Sequence, residues 1–142
     1  MPYYHENEWL ALKPIMDYPV RLSVKTLYVI GAHKFEEQDV IDQVFPNLIE
    51  INLFEPNLTF LSILLDKERE DKRITVHPYA ISNHDGREPL HLTDNDGASS
   101  SLYTRREDTS IKEIGSKEVE VRTLVTFLED HFSTRPPDAL FI

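Results

Sequence analysis

Two short stretches, Leu27–His33 and Ile51–Asn57, hold the residues of this chain best suited to chemistry. In the first, an apolar run breaks at Gly31 and passes through Ala32 and His33 into a polar, helix-like segment. In the second, an apolar run ends in a single acid, Glu55, followed by Pro56 and Asn57. Set on adjacent parallel strands, such a pair forms a site for a nucleotide-type cofactor. The glycine lets the backbone turn close to a ligand, and the acid accepts hydrogen bonds from both hydroxyls of a ribose. Both residues also have plain structural readings. Glycine suits any strand-ending turn, and an acid beside a helix start is favoured by the helix dipole.

Other chemistry finds less support. His77, His84 and His91 are close in sequence, but strand alternation and turn placement scatter them, so no metal site is expected. His33 reads as a structural donor or acceptor within the loop rather than a base. No Ser-His-Asp order and no paired-carboxylate spacing stands out, and catalytic residues remain unassigned. Cysteine is absent, which excludes disulfides, thiolate metal sites and a cysteine nucleophile.

Fifteen basic against 25 acidic side chains leave a formal charge of −10. That balance argues against nucleic-acid and anionic-membrane partners, since no basic field attracts phosphates. Residues 1–10 are polar and aromatic rather than a signal peptide's apolar core, and no run is long enough to span a bilayer. A cytoplasmic location is therefore the default expectation.

The elements that must position Gly31 and Glu55 follow from periodicity. Residues 1–24 read as an N-terminal extension in which Pro2, Pro14 and Pro19 interrupt any long helix, with a short helix predicted over Glu6–Leu12. Thr26–Ile30 reads as a buried strand. Glu36–Phe45 places Val40, Ile41, Val44 and Phe45 at helical spacing, with acids in the first turn. Leu48–Phe54 is the second strand. The helix after Pro56 carries Leu58, Leu61, Leu64 and Leu65 as its expected apolar stripe, and Ile74–His77 is the third strand. Alternation of strand and helix implies a parallel sheet with right-handed crossovers.

Beyond this the pattern changes. Asn83-His84-Asp85-Gly86 is a turn signal between extended pieces at Tyr79–Ser82 and Glu88–Thr93, predicting an inserted hairpin. Asp94–Lys117 reads as a long loop with a helical turn near Ile111–Ile114, and Glu118–Arg122 as an edge-type strand. Thr123 caps a helix to about Phe132, and Ala139–Ile142 begins another buried strand. An apolar strand entered by the last four residues leaves a sheet edge uncovered, which points to a longer parent protein or to a homo-oligomer formed through that edge.

With the elements placed, the chain resembles the FkbM-type methyltransferases, which use S-adenosylmethionine. The resemblance runs from about Thr26 to Ile142 on parts in a fixed order. Gly31-Ala32 comes first, then Phe54-Glu55-Pro56-Asn57, then Ala80-Ile81-Ser82 with Asp85-Gly86. Ser100-Ser101-Leu102, Val121-Arg122-Thr123-Leu124 and the Phe141-Ile142 strand follow. It implies an α/β, Rossmann-like, mostly parallel sheet over residues 25–142, carrying an inserted hairpin and a long loop. It also implies methyl transfer from S-adenosylmethionine to a small-molecule acceptor, a hydroxyl of a sugar or other metabolite. The cofactor residues it implies are Gly31, Ala32, His33, Glu55 and Pro56, with Ala80, Ile81 and Ser82 beside the adenine.

Two positions depart from the family pattern. Val29 stands where the family carries an Asp, and Phe35 where it carries a second glycine. A Phe35 ring filling the space beside Gly31 would favour a non-catalytic binding or assembly module of the same fold. A ring turned into the core would leave the enzyme reading intact. A dehydrogenase half is the weaker third reading, because the several close glycines that pyrophosphate requires are missing.

Overall fold

The computed structural model describes residues 12–93, 113–131 and 134–142. The expected helix over Glu6–Leu12 (save Leu12), the serines at 99–101 and Phe132 lie outside the described residues.

Four parallel strands form the frame. They are β1 (Thr26–Ile30), β2 (Glu50–Phe54), β3 (Ile74–His77) and β7 (Ala139–Phe141), in the order β3-β2-β1-β7. Their register pairs Val29 with Leu53 on one side and Phe141 on the other, and Leu53 with Val76. Short β-branched and aromatic runs suit such strands, which are covered on both faces. The chain is thus an α/β protein with a mostly parallel sheet, as expected.

Pleating sends alternate residues to two cores. On one face Leu27, Val29, Ile51, Leu53 and Ile74 meet Val40, Ile41 and Val44 of α1 (Gln38–Val44) and Leu64 of α2 (Leu58–Glu70). Leu12 and Val24 join this core, reached through two 3-10 turns at Lys13–Asp17 and Pro19–Ser23. The Arg21 guanidinium donates to the Val44 carbonyl at 3.2 Å, which satisfies an acceptor at the α1 C-terminus. On the other face Tyr28, Phe54, Tyr79 and Phe127 form an aromatic cluster beneath α3 (Leu124–Asp130).

The stripe of α2 differs from expectation. Phe60 and Leu64 are its buried residues, whereas Leu58 and Leu65 are 55% and 43% exposed. The Asn57 side chain caps the helix by accepting from the Thr59 N–H at 3.0 Å, which fixes its phase. From that start Phe60, Leu64 and Lys67 share one face at spacings of four and three, with the leucines at 58 and 65 turned away.

The second sheet also differs. β4 (Ala80–Ile81) and β5 (Gly86–Thr93) do not pair with each other across the Asn83–Gly86 turn. Both pair with β6 (Glu113–Arg122), in the order β4-β6-β5. The segment read as a short edge strand is therefore a long central one, and residues 113 and 114 are strand rather than a helical turn. The hairpin is β5–β6, formed with residues far downstream. Asp85 in the turn serves α3 instead. Its carboxylate accepts from the Thr123 N–H at 2.9 Å and the Thr126 hydroxyl at 2.7 Å, beside the cap that Thr123 itself supplies.

The Asp138 carboxylate clasps β7 to the head of β1. One oxygen accepts from the N–H groups of Lys25 and Thr26 at 2.9 and 3.0 Å. Among the described residues, no helix is long and apolar enough to cross a membrane.

Candidate functional site

The Gly31–Phe35 loop leaves the carboxyl end of β1 and folds over the end of β2. Gly31 turns it with φ +72, a backbone conformation open to glycine at little cost. The N–H groups of Gly31 and Ala32 then both donate to the Phe54 carbonyl, at 2.9 and 3.0 Å. His33 and Phe35 also take left-handed conformations, φ +51 and +49, which cost non-glycine residues free energy. The Phe35 N–H closes the turn on the Ala32 carbonyl at 2.8 Å.

Glu55 is the hinge pin of this end of the sheet. It is 3% exposed, and each carboxylate oxygen accepts one main-chain hydrogen bond. Oε1 takes the His33 N–H and Oε2 the Asn57 N–H, both at 2.8 Å. Its own N–H donates to the His77 carbonyl at 3.1 Å. One residue thereby ties the β1 loop, the start of α2 and the end of β3. Burial raises the Glu55 pKa above the ordinary carboxylate value, and the amides of Asn57 and His33 pull against that shift.

His33 is thus bonded directly to Glu55, and Gly31 and Ala32 to Phe54 just before it, with Pro56 half-buried between Glu55 and the α2 cap. A side-chain carbon at Gly31 would meet nothing within 4 Å, so the loop is open above it. The Phe35 ring turns away from that space. It is fully buried among Val29, Ala32, Val40 and Ile41, and Val29 is itself part of the same core. The His33 ring packs on Phe60 with centroids 5.4 Å apart.

Ala80, Ile81 and Ser82 are on the other sheet. Ile81 leans on the aromatic cluster that Phe54 and Ile30 also touch, and the Ser82 N–H donates to the Arg122 carbonyl at 2.8 Å. Their link to the loop is indirect: Ile81 and Ile30, the residue before Gly31, pack against the same aromatic cluster.

A buried polar pair within the aromatic cluster is a feature that residue-by-residue reading passed over. His77 Nε2 meets the Asn52 side-chain oxygen at 2.8 Å, and its ring stacks on Phe54 at 4.8 Å and meets His131 at 5.6 Å. The available signal was a lone Asn in the otherwise apolar run Ile51–Phe54, with a His ending the neighbouring strand. His84 instead bridges Glu88 at 2.7 Å. Among the described residues, no group of three or more His, Asp or Glu could hold a metal ion.

Burial, with the charges of His131 and Arg122, lowers the His77 pKa from 6.5 to about 4. The unfolded chain takes up this proton near pH 6.5, whereas the folded chain resists until about pH 4. Stability is therefore highest above pH 6.5 and falls as the pH drops through that window, by at most about 3 kcal/mol. Urea unfolding of wild type and His77→Gln at pH 7.5 and 4.5 checks this. The wild type is expected to lose more on acidification than the variant; equal losses would refute it.

No protein-family model and no curated protein sequence matches the chain. Among solved structures it is similar to the crystal structure of methyltransferase FkbM from Methylobacillus flagellatus KT, with 16% sequence identity and a TM-score of 0.50. The similarity covers 82% of this chain and 25% of that one, so the chain spans about a quarter of that protein's length. At this identity the likeness speaks to architecture. The fold is α/β and Rossmann-like, of the kind seen in that methyltransferase.

Proposed function

We propose that this chain is the cofactor-binding part of an S-adenosylmethionine-dependent methyltransferase of the FkbM type. One observation carries the reading: a pinned, open loop at the carboxyl ends of adjacent parallel strands, with a buried acid beneath it. Open α/β sheets bind ligands at that edge, where strand order reverses between β1 and β7. Phe35 supports the enzyme reading over the non-catalytic module, because its ring lies in the core and leaves the space above Gly31 clear.

In this reading Gly31, Ala32 and His33 supply the close backbone approach, and the free lone pairs of Glu55 accept from a ribose diol. Pro56 sets the start of α2, while Ala80, Ile81 and Ser82 flank the adenine. The cofactor would bring the transferable methyl group; the protein's part is to hold donor and acceptor in line. The acceptor is a small-molecule hydroxyl, and no residue present here is given a catalytic role.

Calorimetric titration of S-adenosylhomocysteine, with NAD as control, tests the reading. Binding on the order of −8 kcal/mol for the first and none for NAD is expected. Silence with both in a folded sample would count against it.

The same reading includes self-association through β7. That strand is the edge of the described sheet, with Leu140 49% exposed. Unpaired edges recruit further strands. Sedimentation at several concentrations is expected to show a rising mean mass, and a concentration-independent monomer would exclude it.

A further inference from the structure

Phe35 is the most constrained residue in the loop, and its surroundings explain why. A fully buried phenylalanine holds a left-handed backbone, φ +49, only where packing over-determines it. Here the ring enters the core beneath α1, among Val40, Ile41 and Leu64. Lys67 of α2 holds its ammonium 5.9 Å from the ring centroid, within cation–π range.

Lys67 begins a chain of polar contacts across the molecule. Its ammonium donates to the Gln38 side-chain oxygen at 3.5 Å, and the Gln38 amide donates to Asp71 at 3.0 Å. Asp71 accepts from the Arg73 guanidinium at 2.7 Å, which holds the Asp71 carboxyl below the ordinary carboxylate range. Arg73 also pairs with Asp42 of α1 at 3.1 Å. The start and middle of α1 are thus bonded to the far end of α2 and the entry to β3. Glu55 pins the front of the loop, and this chain fixes the segment behind it.

We propose that Phe35 is a positioning residue. Its ring, seated between α1 and α2 and faced by Lys67, sets the height of the Gly31–Phe35 loop over the nucleoside site. The ligand half of this inference rests on the function proposed above; the loop half does not. Without the ring, a residue that keeps its Cβ has nothing to hold it in the left-handed turn. The His33 N–H then loses its fixed approach to Glu55.

Amide hydrogen exchange on the whole chain, read at single residues, tests this without any ligand. In Phe35→Ala, which removes the ring but keeps the Cβ that disfavours φ +49, the Gly31, Ala32 and His33 amides are expected to exchange at least about tenfold faster, relative to the interior amides of β1 and β2. Phe35→Leu, which keeps an apolar anchor, should restore most of the protection. Should Phe35→Ala not fold, Lys67→Met, which removes the ammonium and its bond to Gln38, carries the test with a smaller change confined to the same amides. Uniform acceleration of all amides, or no change at the loop, overturns the proposal. In parallel, S-adenosylhomocysteine affinity should fall with loop protection across the three variants. Wild type that fails to bind overturns the functional reading and leaves the exchange result to decide the role of Phe35. Affinity unmoved while protection is lost overturns the link between loop height and binding.

Discussion

Glu55→Ala is expected to remove S-adenosylhomocysteine binding and to destabilise the fold together. The substitution leaves the His33 and Asn57 N–H groups without their acceptor at a position 3% exposed. Stranded donors and lost charge-assisted bonds suggest a stability cost of roughly 2–4 kcal/mol. A ribose that bonds to the carboxylate would lose about 10- to 100-fold in affinity for each hydroxyl. Glu55→Gln separates the two effects. Its single acceptor oxygen still serves one of the two amides, so about half of the stability loss should return. The amide nitrogen faces donors instead of accepting from them, so binding should stay poor. Urea unfolding and calorimetry on the three proteins read both quantities. A stable Glu55→Ala protein with unchanged affinity would refute the assignment of Glu55 to brace and ligand alike.

Phe127→Ala should carry the largest purely structural penalty. Its ring is fully buried and touches four others, with centroids 4.9 Å from Phe54, 4.8 Å from His77, 5.6 Å from Tyr28 and 4.4 Å from His131. Truncation of such a ring costs about 3–5 kcal/mol, a large share of a domain's stability. Phe127→Leu, which fills most of the volume, should cost much less. The variant also has a titration signature. Water admitted beside His77 relieves the burial that depresses its pKa, so its NMR titration midpoint should rise from about 4 toward 6.5. A midpoint unmoved in a folded Phe127→Ala protein would mean that Phe127 does not shield the imidazole.

Much of the frame is legible from local pattern. Thr26–Ile30 and Ile74–His77 are strands at the limits their apolar runs suggest, and Thr123 caps its helix as its position before Leu124 implies. Short runs bounded by breakers carry their own limits. Partner choice is another matter. The Asn83–Gly86 turn reverses the chain, yet β5 pairs with β6, some thirty residues later in sequence. Nothing local to Ala80 or Gly86 encodes that partner, and Asp85 is engaged by a helix distant in sequence. The α2 stripe agrees with the pattern at Leu64 and departs from it at Leu58 and Leu65 for a related reason: from the Asn57 cap, Phe60 shares the buried face with Leu64 in their place. At the site, Gly31 and Glu55 declare themselves by sitting at strand ends. Phe35 does not, since a bulky side chain argues against a left-handed turn until the core that seats it is known.

The Asp138 clasp bears on how the chain comes to be folded during synthesis. β1, β2 and β3 are consecutive, and can pair as soon as residue 77 is free of the ribosome. The other edge of β1 waits for a strand whose clasp lies 112 residues beyond Thr26. At ribosomal speeds of about 5–20 residues per second, that edge stands open for on the order of ten seconds. Its N–H and C=O groups are unpaired for that interval, with Tyr28 and Val29 beside them. The nascent chain is thus most exposed to wrong strand partners at an inner strand of the described sheet, and chaperone contact would be most useful there.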